Sequence, residues 1–128
     1  EHNGTFRGNQ PAIVAAKAGL ELMLREHTEQ RAKELGAKAK AYLEEELPKI
    51  DPRFKVRGIG LIMGIDFAEI DAKLAHDAIL ECFRNGLIVE GCGRKDSVLK
   101  IMPSLLVTEE DLKKGLDIIL RSVKKVLS

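Results

Sequence analysis

Residues 54–67 read FKVRGIGLIMGIDF, and here the chain changes rhythm. Before this stretch apolar side chains return every three or four positions; within it Val, Ile and Leu crowd around Gly58, Gly60 and Gly64. Branched aliphatic side chains suit a pleated surface, and glycine in such a run marks a bulge or a close approach of two backbones. The stretch reads as strand. It divides a helical opening from a mixed remainder, and the fold class follows from what lies on each side.

Upstream, Ala32, Leu35, Ala39, Leu43 and Leu47 form the apolar stripe of a helix from about Thr28 to Leu47, which Pro48 stops. Gly36 inside it costs about 1 kcal/mol relative to Ala. An earlier helix runs from Pro11 to about Arg25 and carries Ile13, Ala16, Leu20, Met23 and Leu24, with Asn9 placed to cap it and Pro11 suited to its first turn. Downstream, Asp71 can cap a third helix whose inner face is Ala75, Ala78, Ile79, Cys82 and Phe83, and Asn85 with Gly86 ends it. Residues 87–90, LIVE, resume as strand, and after the polar turn GCGRKDS the residues SVLKIM alternate as another strand, which Pro103 closes. Thr108 caps the last helix with Asp111 in the place of the capping-box acid, and its buried stripe is Leu112, Leu116, Ile119, Val123 and Val126. The order is helix, helix, strand, helix, strand, strand, helix. It predicts an α+β fold: a small three- to four-stranded, mainly antiparallel sheet packed by helices on one face.

Length and charge narrow the class of function. The 128 residues fit one ordinary domain, and 21 basic against 20 acidic side chains leave a net charge of +1 with no separate basic block. There is thus no electrostatic footprint for nucleic acid, and four Phe, one Tyr and no Trp offer no stacking platform for single strands. No apolar run approaches the roughly 20 residues of a membrane span, so neither nucleic acid nor membrane is an expected partner. Cys82 and Cys92 are too few and too far apart for a zinc or redox pattern, which predicts a cytoplasmic protein with two ordinary thiols, Cys82 buried. His2, His27 and His76 have no second ligand at coordinating spacing, so no metal is predicted. Asp66 and Glu69 could pair as carboxylates, or could simply make the polar exit of a strand.

The densest cluster of chemistry-bearing residues is the opening, EHNGTFRGNQ. Gly4, Thr5, Gly8 and Asn9 ahead of a helix make a candidate anion cradle, in which backbone N–H groups and a hydroxyl converge on a phosphate; a frayed helix cap explains the same spacing.

The segments EHNGTFRGNQPAIVAAKAGLELM, VRGIGLIMGIDF, NGLIVE and LKIMPSLLVTEEDLKKGLDII together resemble, in this order, the C-terminal end of class III aminotransferases, which use pyridoxal 5′-phosphate (PLP). Within that family EHNGTFRGN is most similar to the diaminobutyrate–2-oxoglutarate transaminases; relatives acting on ornithine or 4-aminobutyrate more often carry Gly where Arg7 stands. The resemblance implies the small C-terminal domain of the fold-type I PLP-dependent transferases, with residues 1–27 as a dimer-interface segment and linking helix and 28–128 as the small α+β domain. It implies that Thr5 binds the cofactor phosphate across a homodimer interface, with Gly4 allowing close approach and Phe6 and Asn9 holding the turn. It further implies glutamate or 2-oxoglutarate and an amino acid semialdehyde as substrates.

One absence and one departure from the family pattern follow. The lysine that carries the cofactor and the aspartate that holds its ring nitrogen lie upstream of Thr5 in this family, and Lys17, Lys33, Lys38 and Lys40 read as solvated helix faces. The catalytic set is therefore none within these residues, and the chain by itself is expected to be inactive. Many members also have an Arg before the Pro of the last strand, where it takes a substrate carboxylate; here the position is Lys100, which has the charge without the planar fork. Either Lys100 anchors the carboxylate as a point charge, or Arg7 or Arg94 takes it, or Lys100 is a solvent-facing strand residue. The alternative to a piece of an aminotransferase is a stand-alone α+β module that binds or oligomerises without catalysis.

Overall fold

A computed structural model describes residues 4–128. Helix α1 spans Gln10–Arg25 and α2 spans Thr28–Glu46, the latter running into a 3-10 turn over Leu47–Lys49. Between them His27 has a φ of 50°, a left-handed conformation that a non-glycine residue adopts seldom. Strands β1 (Lys55–Ile59) and β2 (Ile62–Asp66) precede α3 (Lys73–Arg84), then come β3 (Glu90–Cys92), β4 (Val98–Ile101) and α4 (Glu109–Leu127). The sheet order is β1-β2-β4-β3 and every neighbouring pair is antiparallel.

The stretch 54–67, read as one strand, is a hairpin. Ile59 faces Ile62 across a two-residue turn at Gly60 and Leu61, and Gly60 has a φ of 54°. Glycine at the first turn position supplies the backbone twist that a two-residue hairpin needs. Gly58 is required for a different reason: a Cβ there would stand 2.2 Å from the Ile62 carbonyl oxygen. The sheet therefore has four strands, the upper of the expected numbers.

Register sorts the sheet into two faces, because alternate residues of a strand point opposite ways. Met63 lies opposite Ile101 and Ile65 opposite Leu99, and all four are buried among Leu43, Phe67 and the inner stripes of α2, α3 and α4. The other face carries Arg57, Ile62, Gly64, Asp66, Val98 and Lys100. Ile59 on that face is 84% exposed and Ile62 is also exposed. α2 approaches the hairpin closely: a Cβ on Gly36 would fall 2.1 Å from the Gly60 carbonyl oxygen. The glycine that is a modest cost by helix propensity is the residue that admits the β1–β2 turn.

Three details differ from the sequence reading. Pairing on β3 begins at Glu90 rather than Leu87 and runs through Gly91 and Cys92, inside the expected turn. Leu87 instead closes α3, its N–H donating to the Cys82 carbonyl at 2.9 Å, and Leu87 and Val89 pack on the core from outside the ladder. Phe83 is 66% exposed, not inward. The buried side of α3 is turned toward Glu81, whose carboxylate accepts from Lys125 Nζ at 2.7 Å and from Asn85 Nδ2 at 3.0 Å, so α3 is tied to α4 through a charge. Asp71 accepts from the Lys73 N–H at 2.9 Å one position ahead of the helix cap, Ala72.

The other caps are as read. Asn9 Oδ1 accepts from the Ala12 N–H at 2.9 Å, and Thr108 Oγ1 accepts from the Asp111 N–H at 3.0 Å while donating to Asp111 Oδ2. Leu112, Leu116, Ile119 and Val123 are buried as expected. By contrast no residue of α1 is buried. Among the described residues no helix is long and apolar enough to cross a membrane.

Candidate functional site

Two sets of residues carry chemistry, and the chain does not gather them into one pocket. The first is the turn ahead of α1. The Arg7 N–H donates to the Gly4 carbonyl at 3.1 Å and the Asn9 N–H to the Phe6 carbonyl at 3.2 Å, so residues 4–9 form two successive turns that lead into the Asn9 cap. Gly8 has a φ of 73°, which glycine adopts without strain. Thr5 and Arg7 are exposed, and nothing lies within 4 Å of where a Cβ on Gly4 would stand. An open turn with a hydroxyl, backbone N–H groups and a guanidinium has the donor set that a phosphate dianion takes. The fit to the phosphate of PLP is thus chemical and one-sided: these residues could hold one face of the group.

The second set lies on the face of the sheet opposite the core. Lys100 on β4 stands between Gly64 on β2 and Glu90 on β3. Its Nζ lies 2.5 Å from Glu90 Oε2. The hydrogen bond and charge of Glu90 raise the Lys100 pKa, and Lys100 in turn holds the Glu90 carboxyl below its ordinary range, so both are ionised at neutral pH. Cys92 follows two residues along β3 and is half-buried. The two charged residues sit at the rim of a groove of about 360 Å³ whose walls include Leu87, Val89, Met102 and Leu116. Gly64 beside Lys100 makes room for Val98 on this face: a Cβ there would stand 2.7 Å from Val98 Cγ1.

Other candidates have structural duties. Asp66 Oδ2 accepts from Arg57 Nη2 at 2.7 Å and its Oδ1 from the Ala68 N–H at 2.9 Å, while Glu69 pairs with Lys55, so the two carboxylates serve separate cations and not each other. Arg94 lies in the short 3-10 turn before β4; Lys17, Lys33 and Lys38 are exposed and Lys40 is half-buried. Cys82 is buried and its thiol is pushed up by that burial. His76 is exposed, and His2 lies outside the described residues. Among the described residues no group of three or more His, Cys, Asp or Glu could hold a metal.

Sequence reasoning missed Glu90. The signal was present: LIVE and VLK are successive strands joined by a short polar turn, and antiparallel pairing sets the last residue of one against the third of the other. Misplacing the start of β3 hid this opposition.

An α+β unit with a polar turn at one end and an ion pair on the open face of its sheet matches a known class. The family model for class III aminotransferases matches residues 1–123, and the chain belongs to that family. It is 36% identical to the diaminobutyrate–2-oxoglutarate transaminase of Oceanobacillus iheyensis and 38% identical to that of Wolinella succinogenes, in each case over 99% of this chain and 30% of the relative. The ornithine aminotransferase of Toxoplasma gondii, whose active site holds PLP at partial occupancy, superposes with a TM-score of 0.85 at 26% identity over 98% of this chain and 29% of that one. The ornithine aminotransferase of Plasmodium yoelii gives 0.85 at 30% identity over 98% and 33%. The chain thus spans about 30% of the length of the curated relatives.

Proposed function

We propose that this chain is the C-terminal part of a cytoplasmic, homodimeric, PLP-dependent aminotransferase that moves an amino group between 2,4-diaminobutyrate and 2-oxoglutarate, with aspartate 4-semialdehyde as the partner carbonyl. The observation that carries the reading is identity of 36–38% to two diaminobutyrate transaminases across 99% of the chain. In this reading residues 1–27 are a dimer-interface segment and linking helix, and residues 28–128 are the small domain. The lack of any buried residue in α1 supports that division. A self-contained core in 28–128 is what favours the second reading, a non-catalytic α+β module. The two free cysteines suit a reducing compartment.

PLP, when bound, acts as an electron sink that lets the amino group leave one carbon and join another. This chain's contribution is positioning. Thr5 would donate its hydroxyl to the cofactor phosphate and Gly4 would let the backbone come close, while Arg7 is an alternative anchor for a substrate carboxylate. Lys100 donates from its ammonium to a substrate carboxylate as a point charge, without the two-pronged geometry of an arginine. The lysine that carries the cofactor and the aspartate at its ring nitrogen belong to the part of the parent protein outside these residues.

The test is the full-length parent. It should transfer an amino group from 2,4-diaminobutyrate to 2-oxoglutarate. Thr5→Ala should weaken PLP retention by about 1.5 to 3 kcal/mol, the worth of a hydrogen bond to a charged group. Lys100→Ala should raise the KM for 2-oxoglutarate with PLP content unchanged, the signature of lost substrate binding. An unaltered KM moves the carboxylate anchor to Arg7, Arg94 or the part of the parent outside these residues, and no transfer at all supports the non-catalytic module.

A further inference from the structure

We infer that Arg31 is a carboxylate-binding site, in which its guanidinium takes a carboxylate that the described residues do not themselves supply. Neither Thr5 nor Lys100 takes part in it.

Arg31 lies in the first turn of α2 and is half-buried. Its Nη2 donates to the Val107 carbonyl at 2.9 Å, which ties α2 to the segment ahead of α4. Its Nε–H is buried and has no acceptor. Among the described residues the guanidinium has no ion pair either, so a carbonyl is its whole complement. The neighbouring acids are committed elsewhere: Glu29 to Lys33, Glu34 to Gln30 and Glu109 to Lys38. Exposed arginines make the contrast, since Arg53 and Arg57 each meet an aspartate at 2.7 Å although water could solvate them. A buried N–H without an acceptor costs free energy, and a charge withdrawn from water without a counterion costs more.

The end of α2 adds a further unmet demand. His27 at the N-cap is left-handed and its side chain caps no N–H, while Thr28 behind it is buried. The helix therefore begins with its partial positive charge unanswered, and Arg31 adds a full one at the same end. One carboxylate meets both: an oxygen accepts from Nε, and a single negative charge balances the guanidinium beside the helix end. Leu105 and Leu106, just ahead of Val107, are exposed, so the rim is apolar. Apolar surroundings strengthen an ion pair, and an arginine ringed by them is a common anchor of contact surfaces. The carboxylate has two sources. One is an acidic side chain in the part of the parent outside these residues, for which a span of 30% of the relatives leaves room. The other is a free carboxylate from solution.

Acetate is the probe, with chloride at equal ionic strength as the control. In this chain acetate should raise the unfolding midpoint saturably and shift the Arg31 Nε–H resonance in proton–nitrogen correlation spectra. R31Q should bind acetate at least about ten-fold more weakly, as loss of a charged hydrogen bond implies. Loss of the Val107 bond lowers the R31Q midpoint in either salt, so the difference between salts is what reads the site. R31K keeps the charge without the planar fork; it should lose most of the response and serves as the readout if R31Q does not fold. The full-length parent separates the sources. If its own side chain fills the site, the wild-type parent is unresponsive to acetate where this chain responds; if the carboxylate is free, parent and chain respond alike. An Arg31 Nε–H resonance that acetate does not move, with equal salt responses in wild type and R31Q, overturns the inference and leaves the proposed function standing. A parent that transfers no amino group overturns the proposed function and leaves the acetate responses as they are.

Discussion

Helices α1 and α4 are written in the same pattern and end in opposite surroundings. In α4 Leu112, Leu116, Ile119 and Val123 recur at helical spacing and are buried. In α1 Ile13, Leu20 and Leu24 recur at the same spacing, yet no residue of the helix is buried and Leu24 is 75% exposed. An amphipathic stripe states that a face will be covered; it does not state what covers it. For α4 the cover is the sheet together with α2 and α3, all within this chain. For α1 no cover lies among the described residues. The buried core among the described residues therefore lies in residues 28–128, and the apolar face of α1 stays exposed.

The same glycine-to-alanine change, made in the covered helix α2 and in α1, tests that contrast. Gly36→Ala places a methyl 2.1 Å from the Gly60 carbonyl oxygen, backbone against backbone, so no rotamer change can relieve it. It should cost about 3 kcal/mol and lower the unfolding midpoint strongly. Gly19→Ala in α1 meets nothing within 4 Å and improves helix propensity by up to about 1 kcal/mol, so the midpoint should stay or rise. Equal loss from both changes would erase the distinction between the two regions.

A smaller effect should come from the charge that ties α3 to α4. Glu81 is only 6% exposed and accepts from Lys125, Asn85 and Arg84. Chiefly through the Lys125 bond, its pKa is lowered in the fold. A carboxyl with a depressed folded pKa contributes stability above its unfolded pKa and loses it as pH falls through the folded value. The unfolded value is about 4.3, so the loss should run downward from about pH 5. Thermal melts should show Glu81→Gln less stable than wild type at pH 7 and less sensitive to acid below about pH 5. A parallel pH profile for the two proteins would place the acid-sensitive contact elsewhere.

The helical parts of the fold were legible because their signals are local. The Asn9 and Thr108 caps, Pro11 and the α4 stripe each depend on residues within one or two turns. The missed features are those in which distant segments meet. Gly36 looks like a flaw in a helix until Gly60 lies against it, and the hairpin inside 54–67 is announced by three glycines whose separate duties only pairing reveals. Phe83 fits the inner arc of α3 by period, but the buried Glu81 with Lys125 turns that arc the other way. The candidate site follows the same rule. Thr5 and Lys100 could be singled out from motif and charge, whereas Glu90 becomes visible only once β3 is laid beside β4.

The smallest effect on stability, and the most direct test of what α1 is for, belongs to Leu20. Its side chain is 61% exposed and shares one face with Ile13 and Leu24, so replacing it by Ser removes apolar surface from water rather than from a core. Surface changes of this kind move stability by no more than about 0.5 kcal/mol. The unfolding midpoint of Leu20→Ser, taken at low protein concentration so that association does not add to it, should therefore match wild type. Self-association should respond instead. An apolar stripe with no cover within its own chain tends to find one on another molecule, so the unsubstituted chain should form higher species as its concentration rises, and Leu20→Ser should shift them toward monomer. Light scattering across a concentration series reads this directly. A strictly monomeric wild-type chain at high concentration would remove the apolar face of α1 as a contact surface. A fall in midpoint comparable to that of Gly36→Ala would show that α1 packs on residues 28–128 after all.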